Sequence, residues 1–188
     1  MQISDIIGDV NVIRLSKRQK YMINDKSTEL IHSNIALRQL IGKPSKRALK
    51  RPQLALSPEH KKFISKSSFF IVSSCSDEGE CEISPRGDEP GFVKVIDDKT
   101  FIFIEQPGNR RLDTLSNLVS NKNIGLLFLV PREQYCLRIK GKAELSYQVL
   151  SDNKKSNTKI PKIFVTTKIE QVFFQCARAI KASKIWSF

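Results

Sequence analysis

Apolar and polar positions change period twice along this chain. Up to about residue 33 no period is sustained and the stretch ends polar, which predicts an arm or extension. Asn34-IALRQLIG then reads as a short helix, with Asn34 as its cap and Gly42 as its stop. Ser57-Pro58-Glu59 is a clearer signal: a capping Ser, a Pro in the first turn and an acid beside it. The helix it opens runs to about Lys66 and turns Phe63 and Ile64 inward. From Ser68 the period is that of strands. SFFIVSSC is a β-branched and aromatic run, SDEGE a turn, and CEISPRG a second strand broken by Pro85 and Gly87. GFVKVI, the Asp97-Asp98-Lys99 turn and TFIFIE make a hairpin.

Helical spacing returns over residues 109–121, where Leu112, Leu115, Leu118 and Val119 recur on one side. Two strands follow: NIGLLFLV, stopped by Pro131, and YCLRIKGKAELSY, in which Leu137, Ile139 and Gly141 alternate with bases. A polar loop, SDNKKSNTK, precedes the strand KIFVTTKIEQVFF, and a helix from about Cys176 to Lys184 leads to Ile185-Trp186. Six or so strands with one helix inserted do not alternate as βαβ. The pattern predicts a mainly β protein with helices (α+β), an antiparallel barrel. The N-terminal extension with its short helix covers 1–56 and the barrel domain 57–188. No repeat or low-complexity segment interrupts them.

Composition narrows the classes. The 188 residues suit one ordinary domain with a short appendage, and 40% hydrophobic with 27% charged residues is globular. Ile124 to Pro131, the longest apolar run, is far short of the ~20 residues of a membrane span. Asp5 and Asp9 stand where a secretory signal needs a basic end and an apolar stretch, so a cytoplasmic protein is expected. The four cysteines form no CxxC and the two histidines have no ligand spacing, which argues for buried, reduced thiols and no metal. The net charge of +13 is uneven: +9 over Lys17–Lys62, −5 over Asp77–Asp113 and +8 over Leu137–Phe188. Basic ends of this kind suit phosphate contacts. Most of the eleven Phe lie in core-like runs, not among the bases, so nucleic acid is the less favoured partner.

Two segments carry candidate chemistry. In Gln106-Pro-Gly-Asn-Arg-Arg-Leu-Asp113, Asn109 reads as a helix cap, which makes Arg110 and Arg111 first-turn residues. Two cations at the positive end of a helix are unfavourable by ~0.3–1 kcal/mol each. A bound anion would resolve this, since helix amides and two guanidinium forks make a phosphate cradle. Equally, both arginines can fan out into solvent. In Ile83-Ser-Pro-Arg-Gly-Asp88, Pro and Gly signal a bulge, an edge or the close approach of a ligand. Ser84 could donate to a phosphate or ring carbonyl and Arg86 bind an anion, unless the segment is a wide turn held by an Arg86–Asp88 pair.

FIVSSCSDEGECEISPRGDEPGFVKVIDDKTFIFIEQPGNRRLDTLSNLVSNKNIGLLFLVP resembles the flavin-binding split-barrel proteins related to pyridoxamine 5'-phosphate oxidase. Within them it is most similar to the branch with SPRGD…GF and PGNRR…N…GLLFLVP segments, and FFQCARAIKASKIW resembles that branch's closing motif. The similarity runs from about Ile35 to Trp186. It implies a split β-barrel homodimer that binds FMN in two grooves at the subunit interface. Gly108, Asn109, Arg110 and Arg111 stand where a Gly-Ser-Arg-Lys segment of the oxidases grips the FMN phosphate. Ile104-Glu105-Gln106 would run past the isoalloxazine, faced by backbone groups of Ser84, Pro85, Arg86 and Gly87. Ser84 occupies the place of a phosphate-binding arginine, with Arg86 two residues on. Trp186 is either a ring closing over the flavin or substrate pocket or a C-terminal plug.

The resemblance has departures. The Arg-x-His pair with which the oxidases hold their substrate near the C-terminus is missing, and Gln175 replaces a His before Cys176. Cys176 itself reads as a packed small residue. These departures speak against oxidation of pyridoxamine phosphate itself. The expectation is an FMN-dependent oxidoreductase of another small substrate. The alternative is a non-catalytic carrier of FMN or of another cofactor such as FAD, a deazaflavin or haem.

Overall fold

The computed structural model describes residues 13–14, 22–23, 29–45, 52–106, 108, 110–151 and 159–186. The chain divides into two units, Met1–Lys50 and Arg51–Phe188. In the first, β1 (Ile13–Arg14) and β2 (Met22–Ile23) pair antiparallel, and α1 spans Asn34–Ile41. The cap of α1 is Ser33, not Asn34: the Ser33 hydroxyl accepts from the Ala36 amide at 3.1 Å. Gly42 ends the helix at φ +80°, a conformation that costs a residue without Cβ nothing.

In the second unit α2 (Pro58–Lys66) starts where Ser57, Pro58 and Glu59 say it should. The Ser57 hydroxyl accepts from the His60 amide, and His60 Nδ1 accepts from the Ser57 amide at 3.1 Å, so the two ends of the cap hold each other. Phe63 and Ile64 are buried below them. The strands β3 (Phe69–Cys75), β4 (Cys81–Gly87), β5 (Lys94–Val95), β6 (Thr100–Ile104), β7 (Asn123–Leu129), β8 (Tyr135–Ser151) and β9 (Lys159–Cys176) form one sheet. Its order is β4-β3-β7-β8-β9-β6-β5, and every neighbouring pair is antiparallel. The helix α3 (Asp113–Ser120) is inserted between β6 and β7, and α4 (Arg178–Ser183) follows β9.

Alternation assigns the faces. Phe70 and Val72 of β3, Leu126 and Phe128 of β7, Leu137 and Ile139 of β8, and Phe101 and Phe103 of β6 all point inward. Phe70 is the centre of the core, with ring centroids 5.0 Å from Phe103 and 4.9 Å from Phe128. α3 buries Leu115 and Leu118. It is tied to β3 by Asn117, whose amide donates to Ser74 Oγ at 3.2 Å.

Two local expectations are corrected, and one feature is new. β4 is not broken by Pro85 and Gly87 but runs through them; as an edge strand it has one unpaired side, where the missing proline N–H costs no ladder bond. β8 and β9 reach past their apolar runs, to a Ser151–Lys159 pairing that takes in the two end residues of the polar loop. Residues 152–158 of that loop lie outside the described residues. Finally, the register of this hairpin shifts at Lys140/Gly141, which pair with Gln171 and Ile169. There a Cβ on Gly141 would come within 2.1 Å of the Lys168 carbonyl oxygen, so the bulge demands glycine.

Candidate functional site

The segments 84–88 and 104–111 leave strands at distant places in the sheet order, yet their side chains meet. Ser84 and Arg86 lie opposite Val72 and Phe70, so both face the barrel interior. Arg86 donates from Nε to Glu105 Oε2 at 2.9 Å, and its Nη2 lies 2.8 Å from Oε1. Its Nη1 donates to Ser84 Oγ at 2.6 Å and to the Pro85 carbonyl at 2.9 Å. Both side chains of the ion pair are largely buried, at 15% and 16% exposure. One rung further along, Gln106 donates from Nε2 to Asp88 Oδ2 at 2.6 Å. Together the two rungs close the sheet: its β4 edge is joined by side chains to the end of β6.

This arrangement decides what Arg86 does. Its guanidinium fork is taken by Glu105, and its partner is not Asp88, as a local turn would have it. Arg86 is therefore a bridge across the barrel opening whose charge is matched, and Ser84 is part of the same bridge.

The arginines of the second segment stand elsewhere. α3 begins at Asp113 with Leu112 as its cap, so Arg110 and Arg111 precede the helix instead of forming its first turn. Arg110 sits at φ +63°, the left-handed region that non-glycine residues seldom adopt, and this bend delays the helix. Pro107 and Asn109 lie outside the described residues, so the expected Asn109 cap does too. Gly108 is exposed, and nothing would come within 4 Å of a Cβ placed on it. Arg111 is 73% exposed and donates from Nε to Asp113 Oδ2 at 2.8 Å. The Asp113 hydrogen bond and charge hold Arg111 more firmly protonated, against a small effect of burial, and the Glu82 charge adds to them. Trp186 is half-buried in the turn beyond α4, placed by a different element from the closing rungs.

A phosphomonoester needs dense positive charge and N–H donors. Arg110 and Arg111 supply guanidinium groups at the start of an eight-residue helix, and the Leu112 side chain offers the first helical amides no acceptor. The donor set fits a phosphate. The Arg111–Asp113 pair is then a competitor that an incoming dianion has to displace or share. Beside the Gln106–Asp88 rung, Ile104, Phe92 and Pro90 line an open hollow of about 370 Å³ together with the charged Asp88, Glu89 and Lys94.

A family model described as pyridoxamine 5'-phosphate oxidase matches residues 56–176, more than half of the chain. The chain belongs to this family. Its curled seven-stranded sheet is the family's split barrel. HupZ of Group A Streptococcus is a similar solved structure, at 21% identity over 65% of this chain and 95% of its own, with a TM-score of 0.48. A protein related to general stress protein 26 from Clostridium acetobutylicum shares 14% identity over 63% and 86%, with a TM-score of 0.44. An FMN-binding protein from Syntrophomonas wolfei shares 14% over 61% and 86%, with a TM-score of 0.41. Comparison with curated protein sequences gave no match. No helix among the described residues is long and apolar enough to cross a membrane.

Two arrangements come from the structure, one at the site and one at the cap of α2. The Arg86–Glu105 pair joins residues already singled out, but only the curl of the sheet brings them together. His60 has no ligand spacing in the sequence, and its part in the cap of α2 is seen in the structure. It is buried to 2% exposure, with its ring centroid 4.8 Å from that of Phe174. The signal was available: a residue three places after a capping Ser is the second half of a capping box.

Proposed function

We propose that this member of the pyridoxamine 5'-phosphate oxidase family is an FMN-dependent oxidoreductase that works as a homodimer, with Arg110 and Arg111 holding the cofactor phosphate. The observation that carries the reading is the placement of these two exposed arginines at the start of α3, one short segment from the closed Arg86–Glu105 rung. Bound FMN would supply the redox chemistry, accepting or donating a hydride or single electrons. The chain's own part is to neutralise the phosphate, to fix the segment 104–106 through the Gln106–Asp88 bond, and to offer apolar surface at Ile104 and Phe92. Arg86 and Glu105 keep that segment in place and, being matched to each other, add no net charge beside it.

The test is flavin retention. Protein mixed with FMN and desalted is expected to keep absorption bands near 370 and 450 nm at about one flavin per chain, and to migrate as a dimer. Loss of the flavin on desalting would overturn the reading.

One observation favours a second reading, a carrier that holds FMN, FAD, a deazaflavin or haem without turnover: both carboxylate oxygens of Glu105 are engaged by Arg86, so Glu105 is not a free base. Reduction of the bound flavin by a nicotinamide, followed by reoxidation with candidate acceptors, separates the two.

A further inference from the structure

The β3–β4 hairpin ends in two cysteines that neither the fold nor the cofactor reading uses. Cys75 closes β3, Cys81 opens β4, and the ladder places them directly opposite each other. Directly opposed residues of an antiparallel pair have Cα atoms about 4.5–5.5 Å apart, inside the span a disulfide bridges without backbone movement. Their Sγ atoms are 2.7 Å apart, closer than two unbonded sulfurs rest. Both thiols are free, Cys81 is exposed and Cys75 half-buried. The turn between them is firm: the Ser76 amide donates to the Glu80 carbonyl at 2.9 Å, and the Gly79 amide to the Ser76 carbonyl at 3.1 Å. The approach of the two sulfurs is thus set by the hairpin.

The other two cysteines make an internal contrast. Cys136 pairs with Gln175 and Cys176 with Tyr135, so their side chains leave the sheet on opposite faces. Of the four expected buried thiols Cys136 alone is buried, and Cys176, expected to be packed, is exposed at the end of β9.

We propose that Cys75 and Cys81 are a redox modification site, forming a reversible intramolecular disulfide by exchange with a low-molecular-weight disulfide such as oxidised glutathione. The exposed Cys81 thiolate attacks one sulfur of the small disulfide, breaks its S–S bond and expels the first thiolate. The Cys75 sulfur then attacks Cys81 Sγ, breaks the mixed disulfide and expels the second. Two cysteine thiols are oxidised by two electrons, the small disulfide is reduced to two thiols, and these take up the two cysteine protons. The order follows from the site: Cys81 is exposed and Cys75 half-buried, so Cys81 meets the small disulfide first. Reversibility follows from loop size. So short a loop removes little entropy from the unfolded chain, and exposed disulfides are the readily reduced ones. The inference does not depend on which cofactor the barrel holds.

The test uses the full chain, fully reduced and desalted, then incubated with oxidised glutathione and alkylated under denaturing conditions. Peptide mapping is expected to show a Cys75–Cys81 link with the loss of two hydrogens, Cys136 and Cys176 alkylated, and four alkylated cysteines again after dithiothreitol. Cys81→Ser is expected to abolish the link and leave Cys75 alkylated or singly glutathionylated. Full alkylation of Cys75 and Cys81 in the native sequence would overturn the proposal. So would two stable glutathione adducts, or a link to Cys136, Cys176 or a second chain.

Discussion

Arg86 and Glu105 face each other in a two-pronged ion pair although their strands are separated by most of the sheet order. The pair is a latch across the barrel opening. Removing one partner leaves the other charge largely buried and unmatched. Arg86→Ala is therefore expected to cost roughly 2 kcal/mol, the range for charged hydrogen bonds with some access to water. Glu105→Gln, which keeps an acceptor, should cost less. Urea denaturation of both variants and their double mutant checks this, and a coupling energy near zero would show that the latch carries no stability.

On the phosphate reading, Arg110→Ala and Arg111→Ala should each weaken FMN binding about ten-fold, or about 1.4 kcal/mol. Riboflavin, which lacks the phosphate, should bind the variants and the native chain alike. Titration with both ligands checks the assignment, with circular dichroism to show that the fold is kept. Equal losses for FMN and riboflavin would place the effect outside the phosphate.

Acid should weaken the fold through His60. Burial lowers its pKa from the ordinary value of 6.5, with the Glu59 charge opposing the shift. The unfolded chain thus takes up this proton more readily than the folded one. The contribution of His60 is complete above pH 6.5 and is lost as pH falls below it toward the folded value. Protonation also ends the acceptance of the Ser57 amide by Nδ1. Urea midpoints measured across pH 5–8 should fall on the acid side, and His60→Gln, which keeps a capping-box acceptor, should flatten that fall.

Gly141→Ala should be among the most damaging single-methyl changes in the protein. The new Cβ would meet backbone, the Lys168 carbonyl, which cannot swing away as a side chain does. A loss of about 2 kcal/mol or more is expected from overpacking at this bulge. Gly125→Ala is the comparison: its close neighbour is the Ser73 hydroxyl, which can rotate, and the cost should be smaller. Thermal unfolding of the two variants ranks them.

Elements governed by local signals were legible in the sequence. Ser57-Pro58-Glu59 marks the start of α2, the β-branched and aromatic run SFFIVSSC marks β3, and the alternation in TFIFIE marks β6. The failures occur where a neighbour or a bend takes over. Pro85 looks like a strand breaker until β4 proves to be an edge. Arg110 looks like a first-turn residue until its left-handed backbone moves the helix start to Asp113. The residues of the two rungs stand out singly in the sequence but not as an arrangement. The polar character of Ser84, Arg86, Glu105 and Gln106 is plain, whereas their mutual pairing follows from curvature that no single strand encodes.

The short segment between β4 and β5 now takes on a further meaning. It joins the two outermost strands of the sheet, so the far ends of the ladder are next-door neighbours along the chain. A circular permutant opened near Gly91 would keep every strand-to-strand pairing but lose the covalent strap across the slit. The Arg86–Glu105 and Asp88–Gln106 rungs and the Phe70–Phe103 contact in the core would then hold the barrel shut.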